Sequence, residues 1–108
     1  MKNIIVLFVL AAATQFAGAV DIVGNPKAAG AKVEQCIGCH GIPGYKTAFP
    51  EVYRVPMIAG QSAKYLEAAL LAYKKGDRKH SQMRGVAATM SEQDMADVAA
   101  YYSQMPAK

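Results

Sequence analysis

The chain has only two cysteines among its 108 residues, Cys36 and Cys39, and this scarcity excludes a disulfide-rich scaffold. A bridge between them would close a very small loop and contribute little stability. Histidine is equally scarce, so a four-ligand zinc site would need both cysteines together with His40 and His80, at no recognisable zinc spacing. No stretch is patterned as a strand, which disfavours a thioredoxin-type redox site in a βαβ unit.

The amino terminus has the form of a secretory signal peptide. A positive charge at Lys2 precedes an unbroken apolar run, residues 4–13, and a small-x-small sequence ends at Ala19. The run is too short for a stable membrane anchor, although an uncut amino-terminal membrane helix is the alternative. We therefore expect residues 1–19 to be a cleaved signal peptide and residues 20–108 to form one domain.

Two cysteines and a histidine stand together in the sequence EQCIGCHG, residues 34–41. In C-x-x-C-H the thiols are three residues apart, so on a helical turn they face one side and can each add to one vinyl group of a haem. The adjacent His40 then presents its imidazole to the iron. A large cofactor would also stabilise a domain too small to bury a large core. The motif therefore predicts one haem c, bound covalently through thioethers at Cys36 and Cys39.

Three helices are predicted in the remaining chain, and loops of similar length separate them. Their N-caps are Asn25, Ser62 and Ser91, each followed by apolar residues at helical spacing, and Gly76 suits the C′ position of the second helix. The predicted helices span residues 25–37, from Ser62 to Lys75, and from Ser91 to about Gln104. The glycine- and proline-rich residues 38–60 and residues 77–90 are predicted to be connectors. The fold class is all-α.

Three segments resemble the class I cytochromes c, in particular the small periplasmic single-haem proteins of bacteria. They are CIGCHG, PMIAGQSAKYLEAALLAYKKGDR and MRGVAATMSEQDMADVAAYY, in the family's order and at nearly its spacing. The resemblance extends from roughly residue 28 to residue 102. It implies a class I cytochrome c fold, with three main helices and long loops wrapped around one covalently attached haem.

The resemblance also implies a methionine as the second axial ligand of the iron. Met83 stands where the family's methionine ligand stands, ahead of the last helix. Met90 directly precedes the cap of that helix, where a methionine has a structural use. His80 belongs to the basic run KKGDRKH, which is typical of a solvent-exposed surface. We therefore expect His40 and Met83 to ligate the iron, with Met90 and His80 as the alternatives.

Further positions take their expected roles from the same family. A proline carbonyl accepts the other N–H of the ligating imidazole, and Pro56 is the closest match, with Pro50 as a competitor. Gly30 and Tyr101 resemble a contact at which the first and last helices cross. The candidates for hydrogen bonds to the haem propionates are Tyr53, Arg54, Gln61 and Arg84.

The expected function is that of a periplasmic one-electron carrier, whose iron alternates between Fe(II) and Fe(III). The sequence offers no nucleophile paired with a base and no paired carboxylates, so we expect an electron-transfer protein, a monomer, and not an enzyme. One alternative is an electron-transfer subunit of a flavin or multihaem oxidoreductase complex. Another is a haem domain that binds small ligands as a sensor or weak peroxidase.

Charge bears on the expected partners. Removal of Lys2 leaves eleven basic and eight acidic residues, and two haem propionates would bring the net charge close to neutrality. The basic residues nevertheless concentrate on either side of Asp77, at Lys74, Lys75, Arg78, Lys79 and Arg84, which we call the basic cluster. It is either a docking surface for an acidic redox partner or a solvated helix end. Neither nucleic acid nor a membrane, after cleavage, is an expected partner.

Overall fold

The computed structural model describes residues 21–49 and 51–107, so the predicted signal peptide lies outside the described residues. These residues are mostly helical, which confirms the predicted fold class. In chain order the elements are a 3-10 turn Pro26–Ala29, α1 Gly30–His40, β1 Lys46–Thr47, β2 Tyr53–Arg54, α2 Ala63–Lys75, α3 Ser81–Ala88 and α4 Glu92–Ser103. No helix in this part of the chain is both long and apolar enough to cross a membrane.

The first helix begins as a 3-10 turn and becomes α-helical at Gly30. The side chain of Asn25 accepts a hydrogen bond from the backbone N–H of Lys27 at 3.0 Å, as expected of an N-cap. The α-helix continues beyond the predicted end at Ile37 and reaches His40. The C-x-x-C-H motif therefore lies within the last turns of α1, where helical geometry fixes the relative positions of its side chains.

The caps of α2 and α4 are those that the sequence predicts. Ser62 accepts from the backbone N–H of Tyr65, and Gly76 ends α2 with a positive φ of 86°. At the start of α4, Ser91 Oγ accepts from the N–H of Asp94 at 3.1 Å, and the Asp94 carboxylate accepts from the N–H of Ser91 at 2.8 Å. This reciprocal pair satisfies two backbone donors that a helix start leaves without partners.

Residues 77–90 were expected to be a connector, and this prediction is wrong because they contain α3. The Nδ1 atom of His80 accepts from the backbone N–H of Met83 at 3.5 Å and caps the helix. Histidine is not a preferred cap, and Gly85 inside the helix costs roughly 1 kcal/mol relative to alanine. These two residues explain why the helix leaves a weak sequence signal. Met83 consequently lies in the first turn of a helix.

The long segment between α1 and α2 contains a small antiparallel hairpin that the sequence did not indicate. Its register pairs Lys46 with Arg54 and Thr47 with Tyr53. The side-chain amide of Gln82, in α3, donates to the carbonyl of Phe49 at 3.0 Å and holds the hairpin against that helix. At the end of the segment, the N–H of Gly60 donates to the carbonyl of Tyr102 at 2.9 Å. The segment is thus attached to both α3 and α4.

The segment that precedes α1 crosses α4 at Gly24. A Cβ atom on Gly24 would lie 2.1 Å from the carbonyl oxygen of Ala96, so the two backbones touch there. Gly30 is exposed, and a Cβ atom on it would meet nothing within 4 Å. The expected crossing contact of Gly30 with Tyr101 is therefore wrong. The close approach to α4 falls earlier in the chain, at Gly24.

A buried carboxylate secures this crossing. Asp97 is 2% exposed and accepts hydrogen bonds from the backbone N–H of Asn25, from Lys32 Nζ and from Gln93 Nε2, at 2.8, 2.7 and 2.8 Å. The hydrogen bond from Asn25, followed by that from Lys32, lowers the pKa of Asp97. Lys32 also pairs with Asp94 and, as the main cause, lowers the pKa of that carboxyl to about 2. The network ties Asn25, in the segment before α1, and Lys32, in α1, to α4.

The two glycines give opposite expectations for substitution by alanine. Gly24→Ala should destabilise the protein by on the order of 1–3 kcal/mol, because the added methyl group must displace a helix backbone. Gly30→Ala should leave stability unchanged or raise it by up to about 1 kcal/mol, because the residue is helical and its surroundings are open. Urea unfolding of both variants measures the difference. A larger loss of stability in Gly30→Ala than in Gly24→Ala would instead support the crossing contact at Gly30 that the family resemblance implies.

Candidate haem-binding site

An apolar crevice lies among α1, α2 and α4, and the hairpin and α3 complete its walls. It encloses about 860 Å³ of empty space, part of which is open to solvent. The apolar residues of the wall are Val55, Ile58, Leu66, Leu70, Val86 and Val98. Five of the residues that line it, Cys36, Leu66, Leu70, Val98 and Tyr102, also belong to the hydrophobic core. A crevice lined mainly by apolar side chains, with a few polar groups among them, suits a mostly apolar cofactor.

The two thiols of the C-x-x-C-H motif line this crevice. Cys36 is buried, Cys39 is half-buried, and no disulfide joins them. Burial, followed by the neighbouring Cys39, raises the pKa of the Cys36 thiol. A thiol-disulfide redox site needs the opposite shift, because the thiolate is the reactive species. The raised pKa of Cys36 therefore disfavours a redox-active pair.

The imidazole of His40 is fixed by one hydrogen bond. Its Nδ1 atom lies 2.7 Å from the carbonyl oxygen of Pro56. A carbonyl can only accept, so Nδ1 carries the proton and Nε2 keeps a lone pair for a metal. Pro56 is the residue that the family resemblance favoured. Its competitor, Pro50, lies outside the described residues.

Met83 and His80 both line the crevice that contains His40. Met83 is half-buried, and it lines a second, adjoining cavity together with His40 and Pro56. His80 is half-buried as well, and its ring packs edge-to-face against Tyr53 with 4.8 Å between centroids. The charged residues of the run KKGDRKH are exposed as expected, whereas His80 at its end is only partly exposed. Its Nδ1 atom caps α3, which leaves Nε2 as the atom available for coordination.

Met90 has the structural role that the sequence suggested, and Met95 packs beside it in the core. Their side chains are only 2% and 1% exposed, and both belong to the hydrophobic core around the start of α4. Neither is among the residues that line the crevice. Their packing makes Met90 a weaker candidate ligand than Met83.

Tyr102, on α4, is a crevice residue that the sequence analysis did not single out. It is 3% exposed, and its hydroxyl has no hydrogen-bond partner within the described residues. A buried donor left in this state costs about 1–3 kcal/mol. Burial, followed by the proximity of Cys36 and Tyr101, raises the pKa of Tyr102 to about 12. The phenol is therefore neutral at physiological pH and able to donate.

The hairpin covers one edge of the crevice. Thr47, Tyr53 and Val55 line it, and Gln82 of α3 lines it beside them. Of the four candidates for propionate binding, Tyr53 is the one among the lining residues. The other three, Arg54, Gln61 and Arg84, are exposed and are not part of the crevice wall.

The basic cluster adjoins the crevice through His80. Arg78, Lys79 and Arg84 line a shallow surface depression with His80, whose ring also forms part of the crevice wall. Two members of the cluster make contacts within the protein. The ammonium of Lys74 donates to the carbonyl of Met90, and the Arg78 guanidinium lies 4.8 Å above the centre of the Tyr73 ring. Lys75, Lys79 and Arg84 are exposed.

Comparison with known proteins agrees with these features. Residues 27–106 match the cytochrome c family. The chain is 41% identical over 83 residues to cytochrome c-554(548) of Halomonas halodenitrificans, which covers 74% of this chain and 95% of that protein. It is 35% identical over 86 residues to cytochrome c4 of Pseudomonas aeruginosa, which covers 80% of this chain but 41% of that protein. It is 30% identical over 73 residues to the cytochrome subunit of sulfide dehydrogenase of Chlorobaculum tepidum. That match covers 68% of this chain and 62% of that protein.

The helical fold and the C-x-x-C-H motif at the end of α1 define a class I c-type cytochrome. The chain belongs to the cytochrome c family, which implies electron transport and haem c as the cofactor. The residues of the crevice fit that group. They supply two free thiols, an imidazole whose Nε2 keeps a lone pair, apolar walls, and a buried hydroxyl that can donate a hydrogen bond.

Proposed function

We propose that this protein is a periplasmic one-electron carrier with one haem c, covalently bound at Cys36 and Cys39 and ligated by His40 and Met83. The observation that supports this most strongly is that these four side chains line a single apolar crevice. Bound there, haem c supplies a reversible one-electron couple between Fe(II) and Fe(III). A carrier needs little else from the chain than attachment, ligation and exclusion of water.

Each of the four residues has a distinct task. Cys36 and Cys39 add their S–H bonds across the two vinyl groups, the sulfur to one carbon and the hydrogen to the other, so that no oxidant is consumed. His40 donates from Nδ1 to the carbonyl of Pro56, which leaves Nε2 unprotonated and able to bind the iron. Met83 contributes a soft thioether, which favours Fe(II) and raises the reduction potential.

A second candidate function is that of an electron-transfer subunit in an oxidoreductase complex. It is favoured by the 30% identity to a protein named the cytochrome subunit of sulfide dehydrogenase. In that case the same crevice feeds electrons to a separately encoded catalytic chain with a flavin or several haems. The two functions differ in assembly, because a carrier purifies alone as a monomer and a subunit purifies in a stable complex. A sensor or weak peroxidase would instead require an open axial position.

Covalent attachment and secretion are tested together by mass spectrometry of the native protein. We expect a chain that begins at Val20, carries the added mass of one haem, and keeps it through acid-acetone extraction. Cys36→Ala or Cys39→Ala alone should leave a single thioether and weaken retention, and the double substitution should abolish covalent haem. Haem that is extractable from the unmodified protein would contradict the attachment.

The sixth ligand is tested by substitutions at three crevice and core positions. Met83→Ala should abolish the methionine-to-iron charge-transfer band, lower the reduction potential within the range of about 0.8 V that axial ligands span, and open the iron to carbon monoxide. The band should be lost because the substitution removes the thioether sulfur that is proposed to bind the iron.

The matched controls are His80→Asn and Met90→Leu. Asparagine retains a side-chain acceptor at the N-cap of α3 while it removes the imidazole, and leucine fills the core position of Met90. Both variants should keep the band, the potential and a closed iron. Loss of the band in His80→Asn, with the band retained in Met83→Ala, would assign the ligand to His80. Tight binding of carbon monoxide by the unmodified ferrous protein would favour the sensor or peroxidase function.

The proposed docking surface is the basic cluster. It adjoins the crevice through His80, so a partner bound there would lie next to the proposed haem site. Lys75 and Lys79 are exposed members of the cluster, and their charges are free to steer an acidic surface.

Charge reversal of Lys75 and Lys79 to Glu should slow electron exchange with a carboxylate-coated electrode at low salt. The difference from the unmodified protein should shrink as ionic strength rises toward about 0.1 M, where the screening length is about 10 Å. The matched control reverses Lys27 and Lys64, which are exposed outside the basic cluster, and has the same net charge. Equal rates for the two double variants would leave the cluster as a solvated helix end.

A further inference from the structure

The helix α3, which contains the proposed ligand Met83, is fixed unevenly along its length. Near its end Ala87 is fully buried, and Val86 packs against the hydrophobic core. In its first turn Ser81 and Gln82 are exposed, and Met83 is only half-buried. The core therefore holds the last turn of α3, whereas the turn that carries Met83 depends on other contacts.

This first turn gains little stability from its own sequence. Its cap, the Nδ1 atom of His80, accepts from the backbone N–H of Met83 at 3.5 Å, which is longer than an ordinary hydrogen bond from N–H. Gly85 separates the turn from the buried part of the helix, and a glycine inside a helix is less favourable than alanine. The turn that carries Met83 is therefore the part of α3 that unwinds most readily.

The hairpin supplies an attachment at this point. The side-chain amide of Gln82 donates to the carbonyl of Phe49 at 3.0 Å, and the ring of Tyr53 packs edge-to-face on that of His80. Among the hydrogen bonds within the part of the chain that the structure describes, the bond from Gln82 is the one that joins the hairpin to a helix. Both contacts reach the start of α3, directly before Met83.

We propose that Gln82 is a positioning residue for the sixth ligand, because it fastens the first turn of α3 to the hairpin and so keeps Met83 on the iron. The inference rests on the proposed ligation by Met83. The net contribution of one hydrogen bond corresponds to roughly a two- to tenfold change in an equilibrium constant. Loss of the Gln82 amide should raise the fraction of molecules in which Met83 has left the iron by that factor.

Gln82→Leu in the native holoprotein tests the proposal, because leucine is of similar size and suits a helix but has no amide. In a protein ligated by Met83, carbon monoxide binds the ferrous iron only after Met83 has left it, so the rate of binding measures the open fraction. That rate should rise roughly two- to tenfold in Gln82→Leu. The matched control, Gln104→Leu, replaces an exposed glutamine outside the crevice wall and should leave the rate unchanged.

Two double variants separate positioning of the ligand from easier entry into the crevice. In Met83→Ala the iron is open in every molecule, so the addition of Gln82→Leu should not change the rate further. A Cβ atom on Gly85 would meet nothing within 4 Å, so Gly85→Ala strengthens the helix without a clash. Added to Gln82→Leu, it should lower the rate by up to about fivefold, the factor that corresponds to the difference in helix propensity between glycine and alanine.

Four outcomes would overturn the positioning role alone. An unchanged rate in Gln82→Leu would show that the amide does not hold Met83. An equal rise in the Met83→Ala background would show that the hairpin only blocks entry, and an equal rise in Gln104→Leu would indicate a general loss of stability. No decrease on addition of Gly85→Ala would contradict unwinding of the first turn.

Failure of the proposed ligation itself has a different signature. The unmodified protein would then bind carbon monoxide as fast as Met83→Ala does, and the positioning role would fall with the ligation.

Discussion

The hydrophobic core of this protein is open on one side, where its side chains line the crevice. The rest of the structure depends on that opening. Leu66, Leu70 and Val98 pack in the hydrophobic core and at the same time form the wall of the crevice. A small domain has few apolar side chains to spare, so a large cofactor bound in the crevice would take the place of a second layer of core. The attachment proposed at Cys36 and Cys39 would keep that cofactor from dissociating.

The parts of the chain that face the crevice are fastened to one another by a few polar contacts. The imidazole of His40 is hydrogen-bonded to the carbonyl of Pro56. The carbonyl of Phe49, in the hairpin, accepts a hydrogen bond from Gln82 of α3. Gly60, which precedes α2, donates a hydrogen bond to a carbonyl of α4. Each contact joins segments that are distant in sequence, so the long stretch between α1 and α2 is held in place without much regular structure of its own. The ligands proposed for the iron, on α1 and α3, are thereby held on the walls of one crevice.

Local sequence signals predicted the elements that have strong caps, and they missed the features that depend on tertiary contact. Ser62 and Ser91 mark the starts of α2 and α4 because a hydroxyl before an apolar stripe is a local signal. The helix α3 was not predicted because its N-cap is a histidine and it contains a glycine. The crossing at Gly24 depends on where two distant backbones meet, and the isolation of the Tyr102 hydroxyl depends on what surrounds it after folding. Neither can be read from spacing along the chain.

The composition of the crevice wall affects the relative stability of Fe(II) and Fe(III) in the proposed haem site. Oxidation to Fe(III) adds a positive charge, which an apolar crevice destabilises unless a carboxylate compensates for it. Among the described residues Asp94 and Asp97 are paired with Lys32 outside the crevice, and no acidic side chain forms part of its wall. Tyr102 is neutral in the wall, with a pKa of about 12. The proposed methionine ligand would act in the same direction, so the apolar wall and this ligand would both favour the reduced iron.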